Sequence, residues 1–228
     1  MLTKKKRLSR KEIKEDKFVE TYYKAYGYFE ENKSRIGIYV AAIVIVAAAV
    51  YFYINNKNSQ NDEAGAQLAR VMVLYDNGSY LEAIEGRAGT PIMGLKKIVD
   101  EYGSTESGEI AKVYLANSYV MLGRLDDALK YYEDYSGGNK LFEAAALSGE
   151  AGYYASKNEY EKAAGLYLKA SRVSEENVLN PEYMLKAGIN YINAGNKEKA
   201  KELLEDIRDN YNTSAAFREV DKHLAQLE

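Results

Sequence analysis

The sequence predicts an all-α protein: a solenoid of helical hairpins, preceded by one transmembrane helix and a short amphipathic helix. Three observations carry this. Only 2 of the 228 residues are proline, and no alternation of apolar and polar residues is long enough for a sheet. The run "IGIYVAAIVIVAAAVYFYI", Ile36 to Ile54, holds no charge. From residue 62 onward, a spacing of small residue, tyrosine, turn residue, alanine and aromatic returns in phase.

Residues 1–35 form a basic segment with 11 Lys/Arg against 6 Asp/Glu. "SRKE", Ser9 to Glu12, has capping-box spacing, and Phe18, Tyr22, Tyr26 and Phe29 then fall on one helical face at steps of 4, 4 and 3. Lys14, Lys17 and Lys24 accompany them. Two readings stand for this helix, placed at 11–32: a basic helix lying on anionic headgroups, or a docking helix for a partner.

Residues 36–54 span roughly 28 Å as a helix, close to the hydrocarbon thickness of a bilayer. Tyr51 and Tyr53 sit where an interfacial aromatic belt would sit. The preceding basic region is too long, and the apolar run too extended, for a cleaved signal peptide. The +5 of residues 1–35 places the N-terminus in the cytoplasm. Residues 57–228, with 20 Lys/Arg against 28 Asp/Glu, then lie across the membrane, in a bacterium in the periplasm. That acidic balance argues against nucleic acid. Residues 55–61 are expected as a linker, and 62–228 as the repeat domain.

The repeat is read from its turns. Gly123 is preceded by Ala116 and Tyr119 and followed by Ala128 and Tyr132. Asn158 stands between Ala151 and Tyr154 before it and Ala163 and Tyr167 after it; Gly195 stands between Gly188 and Tyr191, then Ala200 and Leu204. Gly78 and Ala83 mark a degenerate first copy, with Val71 and Leu74 in place of the small residue and tyrosine. Each offset has a physical reason. The small residue lets two helices approach, the tyrosine fills beside it, and the turn residue adopts a left-handed backbone. The alanine faces the small residue, and the aromatic closes the contact. A surplus between the first two copies falls in "IEGRAGTPIMG", 84–94. Asn139 and Asn180, the latter before Pro181 and Glu182, read as helix caps. A terminal cap helix starting near Asn212 presents Phe217, Val220, Leu224 and Leu227 on one face.

This pattern resembles the tetratricopeptide repeat (TPR), whose period is about 34 residues. The layout as a whole is similar to the single-span, periplasmic repeat proteins of the YfgM type. The similarity runs through "YGYFEENKSRI", "QLARVMVLYDNGSYLEAI", "IVDEYGSTESGEIAKVYLA", "NPEYMLKAGINYINAGNKEKA" and "REVDKHLAQLE". It implies an ancillary role beside the Sec translocon, with periplasmic chaperones as neighbours, in the inner membrane of a bacterial envelope.

Chemistry is expected to be absent. The chain has no cysteine and one histidine, His223, which is read as a surface residue of the cap helix. There is no phosphate loop and no zinc or EF-hand spacing. No cofactor, metal, small-molecule substrate or catalytic residue is expected. Two functions remain: a membrane-anchored module that binds protein partners or unfolded polypeptide, and a structural scaffold subunit of a larger envelope complex. For the first, fixed offsets in the first helix of each hairpin give a concave face. It comprises Leu68, Met72 and Tyr75; Ile110, Val113, Asn117, Val120 and Met121; and Leu185, Ile189 and Ile192. Such an apolar, Met-containing face suits an amphipathic helix or apolar peptide.

Overall fold

The computed structural model describes the backbone of residues 10–227 and the side chains of residues 17–227. The expected capping box at Ser9–Glu12 and the Lys14 side chain lie outside these. The chain divides into two units, Met1–Asn56 and Lys57–Glu228.

The first unit is helical through its described part, within α1 (Arg10–Asp76). Its aromatic face is unpacked: Phe18, Tyr22, Tyr26 and Phe29 are all exposed, and the Tyr22 and Tyr26 rings stack at 6.3 Å. The apolar stretch is long enough to cross a membrane and none of it is buried, which makes it a candidate span. Residues 55–61, expected as a linker, are helical too. "NNKNSQN" contains poor helix formers but no proline or glycine, and extending an existing helix is far cheaper than nucleating one.

The second unit is an all-α solenoid. After the last part of α1 come α2 (Tyr80–Glu85), α3 (Leu95–Tyr102), α4 (Glu106–Met121), α5 (Leu125–Glu133), α6 (Lys140–Ser156), α7 (Tyr160–Ala170), α8 (Asn180–Asn193), α9 (Lys197–Asn210) and α10 (Phe217–Leu224). Among the described residues there is no strand, only an isolated bridge between Gly86 and Met93. The pairs α4/α5, α6/α7 and α8/α9 are hairpins packed in sequence.

The four turn residues read from the sequence share one conformation. Gly78, Gly123, Asn158 and Gly195 have φ of 74°, 73°, 63° and 78°. After each, the next N–H donates to the carbonyl five residues back: Ser79 to Leu74, Arg124 to Tyr119, Glu159 to Tyr154, Asn196 to Tyr191. This is the Schellman closure, which satisfies carbonyls that a helix end would otherwise leave open. The contact line is buried as expected: Ala116, Ala151, Ala163 and Ala200 are fully buried, and Ala128 nearly so. A cation covers the repeat tyrosine in three copies: Arg124 over Tyr119, Lys162 over Tyr154 and Lys199 over Tyr191.

The surplus interrupts the second helix of the first hairpin. The Gly86–Met93 bridge closes the 86–94 segment into a loop, leaving α2 and α3 as two short pieces that both pack on α4. The Asn139 side chain caps α6 by accepting from the N–H groups of Leu141 and Phe142. Asn180 does not cap α8. It is the first helical residue, and its amide donates back to the Ser174 carbonyl at 2.7 Å. The terminal helix begins at Phe217 rather than near Asn212, because the Ser214 hydroxyl accepts the Phe217 N–H and holds the preceding residues in a turn. Val220 is fully buried there, with Leu224 and Leu227 packed on the same core. His223, expected on the surface, is buried: three residues after Val220, it shares that inward face.

Candidate functional site

The inner side of the solenoid carries a groove of about 520 Å³ centred on α6. Its floor is made of small residues, Ser148, Gly149 and Gly152. That leaves room for the aromatics that close the repeats. Tyr132, from α5, lies across Gly149 so closely that a Cβ there would overlap its ring. Its hydroxyl donates to Asn117 Oδ1 at 2.5 Å. Tyr167, from α7, reaches the floor from the other side. One wall holds Tyr153, whose hydroxyl donates to Asp126 Oδ1 at 2.7 Å, with Lys157 Nζ 3.3 Å from the same oxygen. The opposite wall is Leu179, Tyr183 and Lys186.

The electrostatics of the groove are set by burial and by one ion pair. Burial raises the pKa of Tyr132 and of Tyr167, so both phenols stay neutral. Burial also raises Tyr183, against a smaller opposing effect of Asn177. The Tyr153 hydroxyl, and then Lys157, hold the Asp126 carboxyl below the usual range. No nucleophile stands beside a base in the groove. It offers apolar rings, neutral hydroxyls and the Lys186 ammonium.

A second, larger concavity of about 850 Å³ is lined in part by a cluster of ion pairs. Lys112 Nζ lies 2.9 Å from Glu109 and 2.8 Å from Asp134, and Glu109 accepts the N–H of Ser136 at 2.8 Å. The cluster ties the α5–α6 loop to α4. Burial alone would lower the Lys112 pKa, but the bonds to Asp134 and Glu109 outweigh it and raise it.

Of the eleven residues expected on the concave face, Asn117 and Val120 line the groove. Met121 is exposed beside them in sequence. Val113 and Leu185 are core residues, 1% and 5% exposed, so they offer nothing to a partner. The reason is geometric. α4 packs against α2, α3, α5 and α6, and α8 against α7, α9 and α10, so the inner stripe of each is narrower than the sequence offsets assumed. Leu68 and Tyr75 are half-buried against the first core, and Ile189 and Ile192 against the second. Met72 and Ile110 are half-buried as well. The sequence reading placed no residue of α6 on the concave face. The offsets that pick out Val113, Asn117 and Met121 relative to Gly123 pick out Ser148, Gly152 and Ser156 relative to Asn158, and all three line the groove. They went unnoticed because small residues do not look like contact residues.

The fold and groove define a class: an all-α, TPR-like helical solenoid with an open inner surface. Comparison with known proteins agrees at that level. Residues 182–214 match the family model described as tetratricopeptide repeat. The structure is similar to the TPR-like repeats of a protein from Podosopora anserina described as a kinesin light chain. The TM-score is 0.54 at 17% identity, covering 71% of this chain and 83% of that one. A second structure of those repeats gives a TM-score of 0.53, with the same identity and coverage. No curated protein matches the chain.

Proposed function

We propose that the chain is a membrane-anchored protein–protein interaction module. Residues 36–54 act as the anchor, with the N-terminus in the cytoplasm and residues 57–228 in the periplasm. The observation that carries the reading is the groove over α6. It is open and rich in tyrosine, as suits a surface for a polypeptide. The resemblance to the YfgM type points to the Sec translocon and periplasmic chaperones as neighbours. One observation favours the scaffold alternative: the aromatic residues Phe18, Tyr22, Tyr26 and Phe29 of the first unit are exposed and offer a second candidate surface.

Copurification from solubilised membranes separates the two readings. A module that binds clients brings down a mixed, substoichiometric set that is lost when the groove is filled by Gly152→Leu. A scaffold brings down one complex at fixed ratio, indifferent to that substitution. Protease added to intact spheroplasts tests the topology: residues 60–228 are digested and the first 35 spared.

A further inference from the structure

A pocket of about 490 Å³ lies between the end of α7, the start of α8 and the last turns of α9, and it shares no residue with the groove over α6. Its volume falls within the roughly 300–1,000 Å³ of small-ligand sites. Asn180 lines it and is 3% exposed. The Asn180 Nδ2 donates to the Ser174 carbonyl at 2.7 Å and lies 3.5 Å from the Glu175 carbonyl. Turning the amide round would set oxygen against oxygen, so its orientation is fixed. That leaves Oδ1 as a buried acceptor with no described partner. Such an acceptor is costly unless a donor comes to it.

The other groups of the pocket point to the same kind of guest. Glu175 and Asp206 bring carboxylates with no described cation at ion-pair distance; Asp206 accepts from the Asn210 amide at 2.6 Å. The Ser171 O–H is spent on the Leu168 carbonyl at 2.9 Å, so what Ser171 offers is a lone pair. Two helix C-termini, of α7 and α9, line the pocket against one N-terminus, that of α8, and a C-terminus favours a cation. Leu168, Met184 and Leu203 supply an apolar wall, which takes a methylene chain whose charged head reaches polar groups. Arg172 works the other way: it is an exposed cation of the lining and repels a guest of like charge.

We propose that this pocket is a subsite for an alkylammonium group. The ammonium N–H groups donate to Asn180 Oδ1 and to the Asp206 and Glu175 carboxylates, and the methylene stem lies on Leu168, Met184 and Leu203. A lysine side chain of a bound polypeptide and a small free diamine share that chemistry. The site is independent of the groove over α6.

The test is titration calorimetry of the full-length chain in an uncharged detergent. The probes are cadaverine, blocked lysine (Nα-acetyl-lysine methylamide) and blocked norleucine, which keeps the stem and lacks the charge. The two amines are expected to bind at least about tenfold more tightly than norleucine. Asp206→Asn and Glu175→Gln each weaken the amines about fivefold, and Arg172→Gln tightens them about twofold. Glu198→Gln, exposed on α9 outside the pocket, leaves them unchanged. Asn180→Ala weakens them more than about tenfold; should it lose the helical circular dichroism melt, the two carboxylate variants decide alone. Blocked lysine ahead of cadaverine makes the source a polypeptide's lysine, and cadaverine level or ahead makes it a free diamine; either supports the subsite. Norleucine binding on a par with the amines, no amine binding at millimolar concentration, or equal weakening by Glu198→Gln overturns it. None of these outcomes touches the groove, which Gly152→Leu tests separately.

Discussion

Replacing Gly149 with alanine tests the packing that shapes the groove. In a free helical position this change stabilises, by roughly 0.8–1 kcal/mol, because alanine is the better helix former. Gly165 in α7 is such a position, with nothing within 4 Å of an added Cβ. At Gly149 the Cβ would overlap the Tyr132 ring, which is 4% exposed and has nowhere to move without leaving Asn117. Overpacking of this kind costs about 1–3 kcal/mol. Loss of the Tyr132–Asn117 hydrogen bond adds about 0.5–1.5 kcal/mol. Less the propensity gain, Gly149→Ala destabilises by about 1–3 kcal/mol, or a fall of several degrees in Tm at about 2–4 °C per kcal/mol. Thermal and urea unfolding of the full-length chain in detergent, followed by circular dichroism, measures it. Gly165→Ala is the control and raises stability. Tyr132→Ala is the second arm of a cycle: with the ring gone, the added methyl has room, so the double variant is less destabilised than the two single losses together. Stabilisation by Gly149→Ala matching that of Gly165→Ala would refute the packing described for α6.

Other predictions use the same unfolding assay. Asn158→Gly stabilises by about 1 kcal/mol, because Asn158 alone among the four turns holds a side chain at positive φ; Gly123→Ala destabilises by about 1–2 kcal/mol for the converse reason. Ala128→Leu and Ala163→Leu each cost about 1–3 kcal/mol, since both alanines are buried between helices; an unchanged melt would show that the contact line is misplaced. Lys112→Ala costs about 3 kcal/mol by stranding Glu109 in a buried site. Lys112 also sets a pH dependence. Its folded pKa is raised, so its contribution is fully present below the ordinary lysine range and is lost as pH climbs through the raised value. Lys112→Met lacks that alkaline loss.

The repeats were legible because each part answers one physical demand that leaves a mark in the sequence. A left-handed turn selects glycine or asparagine, and all four positions chosen on that ground have positive φ. A close helix crossing selects alanine, and those alanines are buried. The groove was less legible, because inward-facing and core-facing positions share helical spacing. Val113 and Leu185 obey the inner-face offsets yet pack in the core. Gly149 and Gly152 shape the groove by lacking a side chain, a role visible only once Tyr132 and Tyr167 are placed against them. The Glu109–Lys112–Asp134 cluster joins residues from α4 to the end of α5, a contact that local spacing does not mark. His223 was misplaced because a single polar residue gives no sign that a short cap helix buries a broad face.

The most direct test of the account is site-specific photocrosslinking in cells from two positions: Ser156, which lines the groove, and Lys201, exposed on α9 and outside it. The groove account predicts discrete protein adducts from position 156, none of the same adducts from position 201, and loss of the position-156 adducts when Gly152→Leu fills the groove. Identical adducts from both positions, or position-156 adducts that persist in Gly152→Leu, would contradict it.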